Sequence, residues 1–357
     1  MKQSAIKIDK EVSNMSIYSF PAEGKKHEGT WLSWPHQYTY GREHRDNVEG
    51  IWIEMVHALH TGEKVHIIAY NETEKQRITN LLIDERINMT MIDFVIARSD
   101  DFWSRDIGPM FVYDENDVLT IINFAFDGWG KKTPYEYDDK IPVAVAKAKG
   151  YPIVTVPDFV LEGGAVELDG AGTLMTCKSS VVSKNRNPEM TVEQAEEYLR
   201  KYLGATNFIW LEGVTDKDIT DAHIDGTARF YDDKTLLTVS KEEFFDLYED
   251  ILESDYEKLI FAKNAKGEPY KIVELPLTSK NVEGLEYKGS YLNYYIGNEV
   301  ILLPVYNDVN DEVAIGILSE LYEDREIIPI DVTNLYQHGG MLHCVTQQQP
   351  LGKINKV

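Results

Sequence analysis

Apolar residues along this chain repeat in two spacings that take turns. One is a pair of short β-rich runs folded about a polar turn. Met110-Phe111-Val112-Tyr113, Asp114-Glu115-Asn116-Asp117 and Val118-Leu119-Thr120-Ile121-Ile122 form the first such unit. Ala165 to Leu168 and Thr173 to Thr176 flank Asp169-Gly170-Ala171-Gly172 in the second. Thr227 to Phe230 and Thr235 to Val239 form the third, and Tyr291 to Ile296 with Glu299 to Leu303 the fourth. Each reads as a hairpin, because Asp, Gly and Asn turns between β-rich runs reverse the chain. The other spacing is helical, over Ile51 to Leu59, Val192 to Leu203 and Val313 to Leu321. Thr191 with Gln194 three residues on predicts a capped start, and Gly204 a stop.

A hairpin-plus-helix unit recurring roughly every 50 to 70 residues means modules that each expose one apolar face and must pack together. The expected fold is α/β: a closed, quasi-symmetric array rather than a doubly wound sheet. No Pro/Ser-rich linker or low-complexity segment breaks the chain, so one domain over 1–357 is expected, with a short N-terminal extension over about 1–18.

The same repetition orders the polar residues. Asp106 precedes the first hairpin, Glu162 the second, and His223 with Asp225 the third, while Cys344 precedes a last strand after Gly339-Gly340. In a ring of modules, equivalent points converge on the axis, which would bring these five residues into one pocket.

Composition narrows the chemistry. A formal net charge of −24 repels nucleic acid, whose binding rests on basic side chains, and favours cationic small molecules. No run reaches the roughly 18 apolar residues of a membrane helix, and Met1 to Lys10 has no apolar signal core. Cys177 and Cys344 are the only cysteines, too few for a disulfide framework. These features point to the cytoplasm and leave both thiols reduced.

Two carboxylates flanking a planar cation accept the paired N–H bonds of a guanidinium, and Asp106 and Asp225 suit that task. The thiolate is the reactive form of cysteine and is favoured beside a cation. A bound guanidinium and a protonated His223 would activate Cys344. His223 could then protonate the departing nitrogen and deprotonate the attacking water. Glu162 on the other ring nitrogen would orient the imidazole. The reaction class is hydrolytic loss of ammonia from a guanidine through a thiouronium adduct. Each residue also has a plainer reading. Cys177 and Cys344 could be core thiols, Asp106 a turn cap paired with Arg105, and Glu162 a loop carboxylate. In a strand, His223 and Asp225 would share one face opposite Ile224, as a surface pair also would. His343 is a second candidate base.

Together the motifs resemble the agmatine deiminase / bacterial peptidylarginine deiminase family. They run in order: Gly29-Thr30-Trp31-Leu32-Ser33-Trp34-Pro35; Asp101-Phe102-Trp103-Ser104-Arg105-Asp106-Ile107-Gly108-Pro109; Leu161-Glu162-Gly163-Gly164; Asn185-Arg186-Asn187-Pro188; His223-Ile224-Asp225; and Gly339-Gly340 to His343-Cys344 with Thr346, Gln348 and Pro350. The resemblance spans about Phe20 to Leu351. It implies a pentein, a five-bladed pseudo-symmetric α/β propeller with an axial site. It also implies Cys344 as nucleophile, His223 as acid/base, Glu162 as its support, and Asp106 and Asp225 as guanidinium carboxylates. Trp103 would pack on the substrate's methylenes, and no metal or organic cofactor is implied.

The chain departs from the family around the pocket. His338 and Met341 flank Gly339-Gly340 where a third glycine and an asparagine are usual, and Ala222 and Gly226 stand where glycine and asparagine are usual. The expected function is agmatine deiminase, because no obvious basic site awaits a substrate carboxylate, although Arg105 or Arg186 could supply one. Alternatives are a peptidylarginine or free arginine deiminase, an amidinotransferase, a Cys-His-Asp peptidase, and a non-catalytic module binding a cationic ligand. The expected partner is a small guanidine, with no nucleic acid or membrane; a homo-oligomer is compatible with this pattern.

Overall fold

The computed structural model describes residues 18–354; the expected N-terminal extension lies outside them except for Tyr18. The described residues form five separate sheets. In four of them the chain makes an antiparallel hairpin and then returns through a helix to add a parallel strand. Met110–Asp114, Leu119–Ala125 and Ile153–Val160 make one such sheet, with the short strand Tyr18–Ser19 added antiparallel to Met110–Asp114, and Val166–Leu168, Thr173–Cys177 and Asn207–Leu211 the next. Arg229–Phe230, Thr235–Thr238 and Lys271–Glu274 follow, then Tyr295–Ile296, Val300–Val305 and Glu326–Asp331. The fifth sheet joins the two ends of the chain. Gln347–Pro350 pairs antiparallel with His27–Ser33, which runs parallel to Lys64–Ala69, and that strand to Ile92–Ile96. This last pairing closes the ring into a five-bladed α/β propeller.

Local chemistry sets the hairpins. Asp114 accepts hydrogen bonds from the backbone N–H of Asn116 and Val118, each at 2.8 Å. Asp169 does the same for Ala171 and Thr173, and Asp232 for Lys234. An aspartate that ties the turn behind it reverses the chain without needing a particular partner elsewhere. The helix Val192–Leu203 has the predicted reciprocal cap between Thr191 and Gln194, and Gly204 ends it at φ 73°. Ala195, Leu199 and Leu203 recur every fourth residue and are buried, each leucine contributing about 1.5–3 kcal/mol.

Two helices start earlier than their apolar spacing indicated, at Arg42 and at Asp311. Their first turns are polar and face solvent, so they carry no apolar period. The run His223-Ile224-Asp225, whose alternation a strand or a surface pair would each have explained, is a tight buried turn, with Ile224–Gly226 forming one turn of 3₁₀ helix. The N–H groups of Thr227 and Ala228 both bond the Ile224 carbonyl, at 2.9 Å. All three residues are buried, so alternation over so short a run had no solvent face to report. Among the described residues no helix is long and apolar enough to cross a membrane.

Candidate active site

Asp106, Glu162, His223 and Asp225 each lie a few residues before a hairpin, and Cys344 lies three before the strand Gln347–Pro350. The ring therefore turns all of them to its axis. Gly164 marks where they meet. A Cβ at that position would stand 2.5 Å from His223 Nδ1 and 3.1 Å from both Asp106 Oδ1 and Asp225 Oδ2. Glu162 Oε2 lies 3.4 Å from His223 Nε2, and Asp106 Oδ1 lies 3.8 Å from Nδ1. Cys344 Sγ lies 3.8 Å from Asp225 Oδ2 and 3.4 Å from Asn293 Oδ1. Gly164→Ala is expected to cut turnover by at least about 100-fold, the scale of losing one positioned acid/base group, while the protein still folds, less stable by about 1–3 kcal/mol from overpacking. Steady-state kinetics and a melting curve check this; near-normal turnover would mean the three residues do not work as one unit.

Three carboxylates, those of Asp106, Glu162 and Asp225, crowd around His223. Burial opposes the His223 cation, but the charge of Asp106 and the bond and charge of Glu162 outweigh it and push its pKa up to about 9. Burial pushes the Cys344 thiol well up, and the carboxylates of Asp225 and Asp106 push it further. Burial also raises Asp106, against the charge of His223. A cation entering between Asp106 and Asp225 would relieve both the thiol and Asp106. In the free protein, alkylation of Cys344 by iodoacetamide should therefore be slow at neutral pH and climb with pH beyond about 9. The sign follows because the thiolate, the reactive form, appears only above a raised pKa. A rate plateau below pH 8 would contradict this.

Several supporting residues escaped the sequence reading. Asn293 Oδ1 accepts from the backbone N–H of His343 at 3.1 Å and of Cys344 at 3.4 Å, fixing the cysteine's loop. Its place just before the fourth hairpin was the available signal. Trp129 Nε1 and the Gly164 N–H each donate to Asp106 at 2.9 Å. Arg186, fully buried, donates from Nε to Glu162 Oε1 at 2.6 Å and from Nη1 to Asp221 at 3.2 Å, and Lys132 also pairs with Asp221 at 3.0 Å. Arg105, read as a possible surface partner of Asp106, is buried. It donates instead to Gln347, Gln348 and the His343 carbonyl.

Trp103 is buried over the cysteine loop, where a Cβ on Gly340 would come within 2.5 Å of its ring. Met341 faces the core, its sulfur accepting the Tyr306 hydroxyl at 2.7 Å. His338 packs edge-on against His44, 4.2 Å between ring centres. Beside Gly226 only the Tyr248 hydroxyl comes near, 3.8 Å from a would-be Cβ, leaving room where the family's asparagine would sit. Ala222 adopts φ 63°, where glycine is at ease and alanine costs about 1–2 kcal/mol. Bonds from Ala222 N to Asp218 and from His223 N to Thr220 hold it there. Cys177 is a buried free thiol. Ligating atoms of Glu23, Glu167 and His343 lie within 4.8 Å of one another. Arg229 already pairs with both carboxylates, so the positive charge there comes from the protein itself.

Five ββαβ blades around an axial cluster of cysteine, histidine and carboxylates define a pentein. The sequence profile of the Porphyromonas-type peptidyl-arginine deiminases matches residues 19–350, and the chain belongs to that family. It is similar to a Selenomonas ruminantium protein assigned as an agmatine deiminase, at 29% identity over 93% of this chain and 96% of that one. A Porphyromonas gingivalis structure assigned as an arginine deiminase superposes with a TM-score of 0.83 at 31% identity, covering 95% of this chain and 100% of that one. The C. jejuni agmatine deiminase with substrate bound superposes at 0.81 with 26% identity, covering 94% and 97%.

Proposed function

We propose that the chain is an agmatine deiminase, a hydrolase of guanidine C–N bonds that yields N-carbamoylputrescine and ammonia. Asp106 and Asp225 receive the guanidinium, whose charge lowers the Cys344 thiol so that its proton leaves to solvent. The thiolate adds to the guanidine carbon. His223, protonated below about pH 9, gives its proton to the departing amino group, and ammonia leaves a thiouronium on Cys344. Neutral His223 then takes a proton from water, hydroxide adds to the same carbon, and the adduct expels the thiolate as the carbamoyl product forms. Glu162 holds the imidazole through this exchange. Trp103 is assigned to the methylene chain. The unpaired thiols of Cys177 and Cys344 suit a reducing cytoplasm.

One observation favours agmatine over free arginine. Arg105, Arg186 and Arg229 are buried with their guanidinium groups turned to protein groups, so none of the three presents an exposed guanidinium to a substrate carboxylate. Agmatine has no carboxylate to place. The relatives named for agmatine support the same reading, while the family's description and the Porphyromonas gingivalis relative keep arginine substrates in view. Ammonia release should be measured in parallel on agmatine, free arginine and a peptide ending in arginine. A kcat/KM for agmatine at least about 100-fold above the others is expected, since one unmet buried charge costs that much. Preference for the peptide or free arginine overturns the assignment.

A further inference from the structure

His343 is next to the nucleophile yet takes no part in the chemistry above. Its ring is buried between two carboxylates, with Nδ1 2.7 Å from Asp225 Oδ2 and Nε2 2.8 Å from Glu23 Oε2. Its main chain is pinned as firmly, since its N–H bonds both the carbonyl and the side-chain oxygen of Asn293, at 3.1 Å. Glu23 comes from the turn between Tyr18–Ser19 and His27–Ser33, which belong to different sheets. There it also accepts from Ile296 N at 2.9 Å and pairs with Arg229 at 3.0 Å. The arrangement ties Asp225 through one imidazole to a carboxylate anchored across several blades.

The two carboxylates assigned to the guanidinium are thus held by different means. Asp106 is held by a backbone N–H and an indole N–H. Burial raises its pKa, against the charge of His223. Asp225 has an imidazole on Oδ2, and the charge and bond of His343 overcome burial and keep its carboxyl low. The oxygen that His343 holds, Oδ2, is also the one 3.8 Å from the Cys344 sulfur, and a carboxylate that must meet a planar cation in one orientation gains from having one oxygen already fixed.

We infer that His343, through its Nδ1 bond, is the positioning residue that orients Asp225 for guanidinium binding. The inference rests on the deiminase reading. Its role is separable by two substitutions that each keep half of the imidazole. Asparagine places an N–H where Nδ1 stands, so His343→Asn retains the bond to Asp225 and releases Glu23. Glutamine places its N–H where Nε2 stands, so His343→Gln retains Glu23 and releases Asp225.

The test is KM and kcat for agmatine in wild type and both variants, with agmatine Kd by calorimetry in each variant made on a Cys344→Ala background. His343→Gln should raise Kd and KM at least tenfold while kcat falls less than threefold; His343→Asn should stay within about threefold of wild type in all three. Equal damage from the two variants, or a loss in kcat alone, overturns the inference, as does a folded His343→Asn with tenfold weaker binding. If His343→Gln fails to fold, the His343→Asn affinity decides. Wild-type protein inert toward agmatine, arginine and peptidyl-arginine would instead overturn the deiminase reading and the inference with it.

Discussion

Cys344→Ala is expected to bind agmatine with an affinity near that of wild type and to release ammonia more than about 10⁴-fold more slowly. Loss of a nucleophile that acts together with its base removes nearly all catalysis by the unit. Binding should survive because the groups assigned to the guanidinium are untouched. Asp106 keeps its bonds to Trp129 and Gly164, and Asp225 keeps His343. The substitution removes only a sulfur 3.8 Å from Asp225. Single-turnover kinetics with mass spectrometry should also find a covalent adduct on wild type and none on the variant. Turnover within tenfold of wild type would exclude a thiouronium route.

Arg186→Met should be the most damaging substitution to the fold itself. Arg186, Glu162 and Asp221 all have fully buried side chains, and burial opposes the arginine's charge while Glu162 more than restores it. Methionine matches the side chain's bulk but leaves two buried carboxylates short of their partner. Breaking a buried pair in this way costs about 3–5 kcal/mol. Lys132 stays beside Asp221, so Glu162 bears most of the loss. Without its partner Glu162 is no longer fixed facing His223, which should lower kcat by about 10². Chemical denaturation and kcat measured on the same preparation check both parts. Arg186→Lys should recover part of the stability, since it restores the charge without the two-pronged geometry. An unchanged denaturation midpoint in Arg186→Met would mean that Glu162 does not depend on this pair.

Arg186 also shows why the sequence could not apportion its own motifs. An arginine near a candidate pocket could serve substrate or protein, and only its partners decide. Those partners lie 24 and 35 residues away along the chain. Asn293 is 51 residues from the loop it fixes, and Glu23 is 320 from His343. None of these pairings leaves a periodic trace. The ambiguity at His223-Ile224-Asp225 has a related cause: three buried residues in a turn imitate a strand's alternation, because what buries them arrives from other blades.

By itself the sequence determined what local chemistry decides. The aspartate-tied turns, the Thr191–Gln194 cap, the apolar faces of strands and helices, and the recurrence that implies a ring all depend on residues close along the chain. The order of Asp106, Glu162, His223, Asp225 and Cys344 before successive hairpins was legible for the same reason. The tertiary structure alone decided which charges neutralise one another. It buried Arg105 and Arg186 against protein groups, set His343 between Asp225 and Glu23, and gathered His223 with the carboxylates of Asp106 and Asp225 around Gly164. Electrostatic pairing follows distance in space, and ring closure sets that distance.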